Sequence, residues 1–184
     1  MAAREVALII RAAENRDVPA IAAIYAEAVL HGTASFELDP PDGAEMARRR
    51  EALVTDDHPY LAAEIDGIVA GYAYAGPYRP RLAYRSTVES SVYVAPTFHG
   101  RGIGGGLLRA LVTAASVRGF RQMVAVIGDS ANQASIRLHE RCGFEPVGTL
   151  RSVGWKHGRW LDTVLMQRSL GPGDAIPSDL GRPA

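Results

Sequence analysis

Five glycines stand between Phe98 and Leu108 in FHGRGIGGGLL, directly after the run VYV and directly before an apolar helical stretch. A strand, a glycine-rich turn and a helix in that order form an anion site. The first N–H groups of a helix lack internal partners, and the helix dipole favours negative charge there. Side chains larger than hydrogen would hold a diphosphate away from those donors. Gly100, Gly102, Gly104 and Gly105 therefore read as a pyrophosphate cradle, with Ile103 opening the helix and Arg101 adding positive charge. A tight turn that binds nothing is the plainer account of the same glycines. Two other phosphate motifs fit less well. Gly100-Arg-Gly102-Ile-Gly104-Gly105 satisfies G-x-G-x-x-G, with Asp129 downstream. In a dinucleotide-binding unit, however, the strand runs straight into the first glycine, and here Ala95-Pro-Thr-Phe-His99 intervenes. A Walker A loop needs Gly-Lys-Ser/Thr, which is absent.

The rest of the chain must position that turn. Its 184 residues suffice for one domain with a proper core. Hydrophobic residues make up 47% and charged residues 22%, as in ordinary globular proteins. Twenty basic residues balance twenty acidic ones, which argues against nucleic-acid binding by counterion release. Cys142 is the single cysteine, so there is no disulfide framework and no cysteine-based metal cluster, as suits a reducing cytoplasm. The apolar run VALII is too short for a signal sequence or a membrane span.

Residues 6–12 read as a strand, followed by a helix capped by Asn15 or Asp17 with Ile21, Ile24, Tyr25 and Ala28 on one face. Residues 33–43 form a loop and 44–54 a polar helix. Alternation around Asp66-Gly67 predicts a hairpin of strands 60–65 and 68–75. Further strands are expected at 88–94 and 123–128, with helices at 103–117 and 132–142. Two late strands, about 144–151 and 160–168, flank VGWKHGRW. This order makes one α/β (α+β) domain over residues 1–170. The proline- and glycine-rich residues 171–184 form a loose tail.

VYVAPTFHGRGIGGGLL resembles the acetyl-CoA-binding motif of the GNAT acyltransferases: strand, short loop, Q/R-x-x-G-x-G/A, helix. His99 takes the place of the usual Gln or Arg. NQASIRLHERCGF resembles the family's second signature, in which the asparagine, here Asn132, contacts the coenzyme; His139 stands where many relatives carry tyrosine. The resemblance implies a GNAT fold, a central mixed, mostly antiparallel sheet of about seven strands flanked by helices. TASFE, AEIDG, GYAYAGPYRPR, AYRSTVESSVYV, VAVIGD and KHGRWLD extend it, over about Ile10 to Leu170, to the phosphinothricin and methionine sulfoximine N-acetyltransferases.

That resemblance implies acetyl transfer from acetyl-CoA to the α-amino group of a small amino-acid analogue, in a ternary complex and without a metal. An amine attacks a thioester only when uncharged, so a base must take its proton. By resemblance Glu89 is the first candidate; a carboxylate paired to an arginine is the structural account. His139 is the second, as relay or partner base, against simple packing at the helix–sheet interface. Backbone N–H of the VYV strand, Val94 above all, would meet the developing oxyanion, and Val92, Tyr93 and Val94 would pair with pantetheine amides. An acceptor carboxylate suits a guanidinium, and Arg85 and Thr87 are the best candidates, with Arg81 and Tyr84 beside them. Arg79 reads as a solvated charge. Phe36 covers the substrate by resemblance, or else anchors its loop. Trp155 and Trp160 suggest an interface, and relatives commonly form homodimers. Cys142 reads as packing. Acetylation of another small amine or a protein N-terminus, or acyl-CoA sensing without turnover, also fits these residues.

Overall fold

A computed structural model describes residues 7–178. A seven-stranded sheet has the order β1-β2-β3-β4-β5-β7-β6. Its strands are β1 Leu8–Ala12, β2 Tyr60–Ile65, β3 Ile68–Pro77, β4 Thr87–Val94, β5 Gln122–Gly128, β6 Glu145–Lys156 and β7 Arg159–Ser169. Every neighbouring pair is antiparallel except β4–β5. Helices α1 (Val18–His31) and α2 (Gly43–Thr55) cover one face, and α3 (Ile103–Val117) and α4 (Gln133–Arg141) the other. The mostly antiparallel sheet expected from the sequence is therefore present.

Local chemistry accounts for the joints. Asp42 caps α2 by accepting from Glu45 N–H at 2.7 Å. Asp66 and Gly67 turn the β2–β3 hairpin at φ of 50° and 80°, the signs a two-residue I′ turn requires. In α3 the residues Ile103, Leu107, Leu108, Leu111 and Ala115 form one stripe sealed against the sheet. On the opposite face Ile21, Ile24, Tyr25 and Val29 of α1 pack with Tyr60 and Tyr72. Val29 rather than Ala28 completes that stripe. The late strands are longer than the sequence suggested: VGWKHGRW is itself strand on both sides of a tight turn at His157-Gly158.

The start of the C-terminal segment is docked rather than loose. Arg121 donates to the carbonyls of Gly173 and Pro177, at 3.5 and 2.9 Å, and Ser178 bonds Ser86. Residues 179–184 of the expected tail lie outside the described residues, as does Val6 of the first expected strand. No helix among the described residues is long and apolar enough to cross a membrane, and no cluster of metal-binding side chains occurs among them.

Candidate active site

The site begins where the one parallel pair comes apart. β4 and β5 are in register only from Thr87↔Gln122 to Ser90↔Ala125, whereas β4 stays paired with β3 as far as Val94. Ala95 donates its N–H to Ala70, so odd-numbered β4 residues turn their backbone groups to β3. Val92 and Val94 turn theirs into the gap. The Val94 carbonyl is taken by His99 Nε2 at 2.8 Å. The N–H groups of Val92 and Val94 and the Val92 carbonyl are left facing the opening, a strand edge that an extended amide chain can join.

At the mouth of this gap Gly102 caps α3 in the left-handed conformation (φ 77°), and Gly100 has φ 76°. These two positions need glycine for their backbone angles. The first intrahelical bond runs from Gly106 N–H to Gly102, so the N–H groups of Ile103, Gly104 and Gly105 point out of the helix start without helical partners. Arg101 stacks on Phe98, 5.1 Å from its ring centre, and makes no ion pair among the described residues. A Cβ at Gly104 would meet Leu138 and Val94 at 3.4 and 3.7 Å, ordinary contact distances, so the packing there does not require glycine. At Gly105 the neighbour is the Arg109 guanidinium, 3.2 Å away.

Inside the gap lies a narrow cavity of about 50 Å³, walled by Val92, Tyr93, Asn132, Ser135 and His139. His139 is buried, and its Nδ1 donates to the Ser135 carbonyl at 2.8 Å. Burial pushes its pKa down, against the effect of that bond. The ring is therefore neutral near pH 7, with its lone pair on Nε2. Asn132 caps α4 by accepting from Ser135 N–H at 3.2 Å, which commits its oxygen and leaves its amide NH2. A wider cavity of about 260 Å³ adjoins, lined by Glu89, Tyr25, Phe36, Tyr74, Ser91 and Tyr93. Glu89 has no hydrogen bond or ion pair among the described residues. Burial pushes its carboxyl up, and the Arg79 field pulls it partly back. This arrangement suits a base.

Residues 20–144 match the model of the acetyltransferase (GNAT) family. A phosphinothricin N-acetyltransferase of Alcaligenes faecalis is 53% identical over 165 residues, covering 90% of this chain and 84% of the relative. The chain belongs to the acetyltransferase (GNAT) family. An L-methionine sulfoximine/L-methionine sulfone acetyltransferase of Pseudomonas paraeruginosa is 44% identical, over 91% of this chain and 98% of its own. The crystal structure of a GNAT superfamily phosphinothricin acetyltransferase from Sinorhizobium meliloti, in complex with AcCoA, superposes with a TM-score of 0.91 at 46% identity, covering 95% and 94% of the two chains.

Within this GNAT domain the expected residues fall into two groups. Glu89, His139, Asn132, Val92, Tyr93 and Phe36 line the joined cavities. Tyr93 also packs, stacked on Tyr72 and edge-on to Tyr25. Arg81, Tyr84, Arg85 and Thr87 line neither cavity. Arg81, Tyr84 and Arg85 are exposed on the turn before β4, where Tyr84 packs edge-on to Tyr78, and Thr87 pairs with Gln122. Arg79, set aside from the sequence, is the cation whose field reaches Glu89.

Sequence reasoning missed the clamp on the loop over the cavity. The Phe36 ring fills the space that side chains at Gly128 and Gly154 would occupy, and Thr33 carbonyl crosses directly over Gly128. Phe36 thus anchors its loop and lines the wider cavity. Lys156, buried near the end of β6, donates to the Ser35 carbonyl at 2.7 Å, and burial pushes its pKa down. Tyr25 hydroxyl meets Ser35 and Glu37 at 2.9 and 3.1 Å. Phe36 between polar neighbours was a visible cue; the two glycines that receive it lie far away in sequence.

Proposed function

We propose that this protein transfers the acetyl group of acetyl-CoA to the α-amino group of a free amino acid or analogue, of the phosphinothricin, methionine sulfoximine or methionine sulfone type. The observation that carries this is the adjacency of two openings on one strand. The unpaired N–H groups after Gly102 and the bare edge of Val92 and Val94 suit the diphosphate and pantetheine of the coenzyme. Glu89, three residues from Val92 on β4, faces the second opening. The acceptor amine reaches the thioester between them and gives its proton to Glu89, directly or through a water. The amine nitrogen forms the new bond to the carbonyl carbon, the developing oxyanion meets backbone N–H of β4, and coenzyme A leaves as thiolate. His139, neutral with Nε2 open, relays a proton to or from the narrow cavity. Arg79, with Arg81 and Arg85 further along the same turn, supplies positive charge for the acceptor carboxylate. Thiol release and acetyl-amine product formation, across methionine sulfoximine, methionine sulfone, phosphinothricin and a peptide panel, test the proposal. Transfer to peptide N-termini alone, or acetyl-CoA binding without transfer, would overturn it.

The working unit in this proposal is a homodimer in the cytoplasm, where the buried thiol of Cys142 stays reduced. Support comes from β6, a twelve-residue edge strand exposed along almost its whole length. Val147, Leu150, Val153 and Trp155, with Trp160 opposite on β7, are all at least half exposed. Long apolar edges of this kind are covered in stable proteins.

A further inference from the structure

The ring of Tyr74 stands in the wall of the acceptor cavity. Beyond it lies a second cavity of about 320 Å³ between α2 and strands β2 and β3. Tyr25 and Tyr74 belong to both walls. Gly76, on the border of the second cavity, stands opposite Glu89 in the β3–β4 register. A group entering there is therefore one strand away from the proposed base.

The lining is chemically one-sided. Tyr60 stacks against Tyr74 and Tyr72 with ring centres 5.2 and 5.9 Å apart, and Met46 and Leu53 close the other side. Arg49 is the only charged residue in the wall, and Glu37 and Glu45 already hold its guanidinium at 2.6 and 2.7 Å. A charged group placed here finds no free charge of opposite sign; the buried Tyr72 hydroxyl in the wall has no hydrogen-bond partner, but one neutral donor does not offset the cost of burying a charge. An uncharged one loses apolar surface to flat aromatic walls, which is favourable. The tyrosines themselves register the same environment: burial raises the pKa of both Tyr60 and Tyr72.

We infer that this tyrosine-lined cavity receives the side chain of the acceptor, so that the preferred acceptors are amino acids with an aromatic or long uncharged side chain. The inference rests on the proposal that the Glu89 cavity holds the acceptor amine. It sets an order among free amino acids and their analogues: phenylalanine ahead of methionine sulfone, and both ahead of alanine and of the anionic phosphinothricin. Filling an apolar pocket of this size discriminates by roughly a hundredfold in kcat/KM between phenylalanine and alanine.

The test is a thiol-release assay with acetyl-CoA, those four acceptors and tryptophan, on the wild-type protein and on two variants. Ala52, exposed on α2 at the cavity wall, is replaced in Ala52→Trp to fill the space. Leu53→Ala enlarges it. Ala52→Trp is expected to lower the phenylalanine-to-alanine ratio of kcat/KM at least tenfold, and Leu53→Ala to raise the tryptophan-to-phenylalanine ratio. Because each result is a ratio between substrates on one folded protein, a loss of stability does not imitate it. A wild-type ratio near one, or ratios that neither variant moves, would overturn the subsite and leave the acetyltransferase proposal standing. Failure to acetylate any of the four, with acetyl-CoA bound, would overturn the acceptor site itself and the subsite with it.

Discussion

Replacing Glu89 by glutamine separates a base from a structural carboxylate more sharply than any other change. The carboxyl sits partly buried without a hydrogen bond or ion pair among the described residues, and only the Arg79 field relieves it. Its proton is therefore held more tightly in the folded chain than in the unfolded one. For such a group the stabilising contribution is present below the unfolded pKa and is lost as pH rises through the folded pKa. At neutral pH the ionised carboxylate thus weakens the fold, and glutamine removes that cost. Glu89→Gln should melt at or above the wild-type temperature near pH 7, the advantage shrinking as pH falls. Activity moves the opposite way. A positioned general base contributes on the order of 10²–10⁴ in rate, and the lower bound corresponds to about 2.7 kcal/mol of barrier. Turnover should fall about a hundredfold near neutrality. The deficit should narrow towards about pH 9, where the acceptor amine loses its proton unaided. Stopped thiol-release kinetics from about pH 6 to about pH 9, with melting curves in the same buffers, measure both. A variant that melts earlier and keeps wild-type turnover would show that Glu89 is a strut, and the assignment of the base would fall.

Gly102 and Gly104 should part company. Gly102→Ala strains a left-handed cap and raises the KM for acetyl-CoA about tenfold or more, whereas Gly104→Ala meets only ordinary contacts with Leu138 and Val94 and changes it little; equal effects would refute the division between them. Arg79→Ala should raise the Glu89 carboxyl further, moving the acidic limb of the pH–rate profile upward, and should weaken amino acids more than simple amines; an unmoved limb would return Arg79 to the solvent. Gly128→Ala drives a methyl group against the Thr33 carbonyl and, at 2.9 Å, against the Phe36 ring. It should cost about 1–3 kcal/mol of stability and raise the acceptor KM more than that for acetyl-CoA, read by melting and by the two Michaelis constants. Trp155→Ser with Trp160→Ser should shift the sedimentation of the protein towards a single chain, and unchanged sedimentation would place the interface elsewhere.

What the sequence disclosed and what it hid divide along a physical line. Local chemistry was legible. The Asp66-Gly67 hairpin and the helix beginning at Ile103 stand where turn residues and apolar spacing put them, because these signals act within a few residues. The glycine turn was legible too, but not the purpose of each glycine. A bare position required by its backbone angle, as at Gly102, and one where a side chain would meet only ordinary contacts, as at Gly104, look identical in one dimension. Contacts between distant segments left no trace. Nothing near Gly128 or Gly154 announces that both make room for Phe36, and Lys156 looks like a solvated turn charge until the Ser35 carbonyl is placed against it. Nor does the sequence show that the field at Glu89 comes from Arg79, which stands ten residues before it.

One geometric fact ties these parts together. The parallel pairing of β4 and β5 stops at Ser90 and Ala125, and every proposed role is measured from that point. Glu89 precedes it on the paired side, where the sheet is rigid enough to hold a carboxylate in a poorly solvated place. Val92 and Val94 follow it on the unpaired side, where backbone groups are open to a second chain. If the strands stayed paired to Val94, the coenzyme edge would vanish while Glu89 kept its surroundings. If they parted before Glu89, the base would lose its shelter while the edge survived. In the proposed mechanism a single separation one residue beyond Glu89 lets one strand serve both substrates, so the coenzyme and acceptor constants should respond to different residues of β4 and its neighbours.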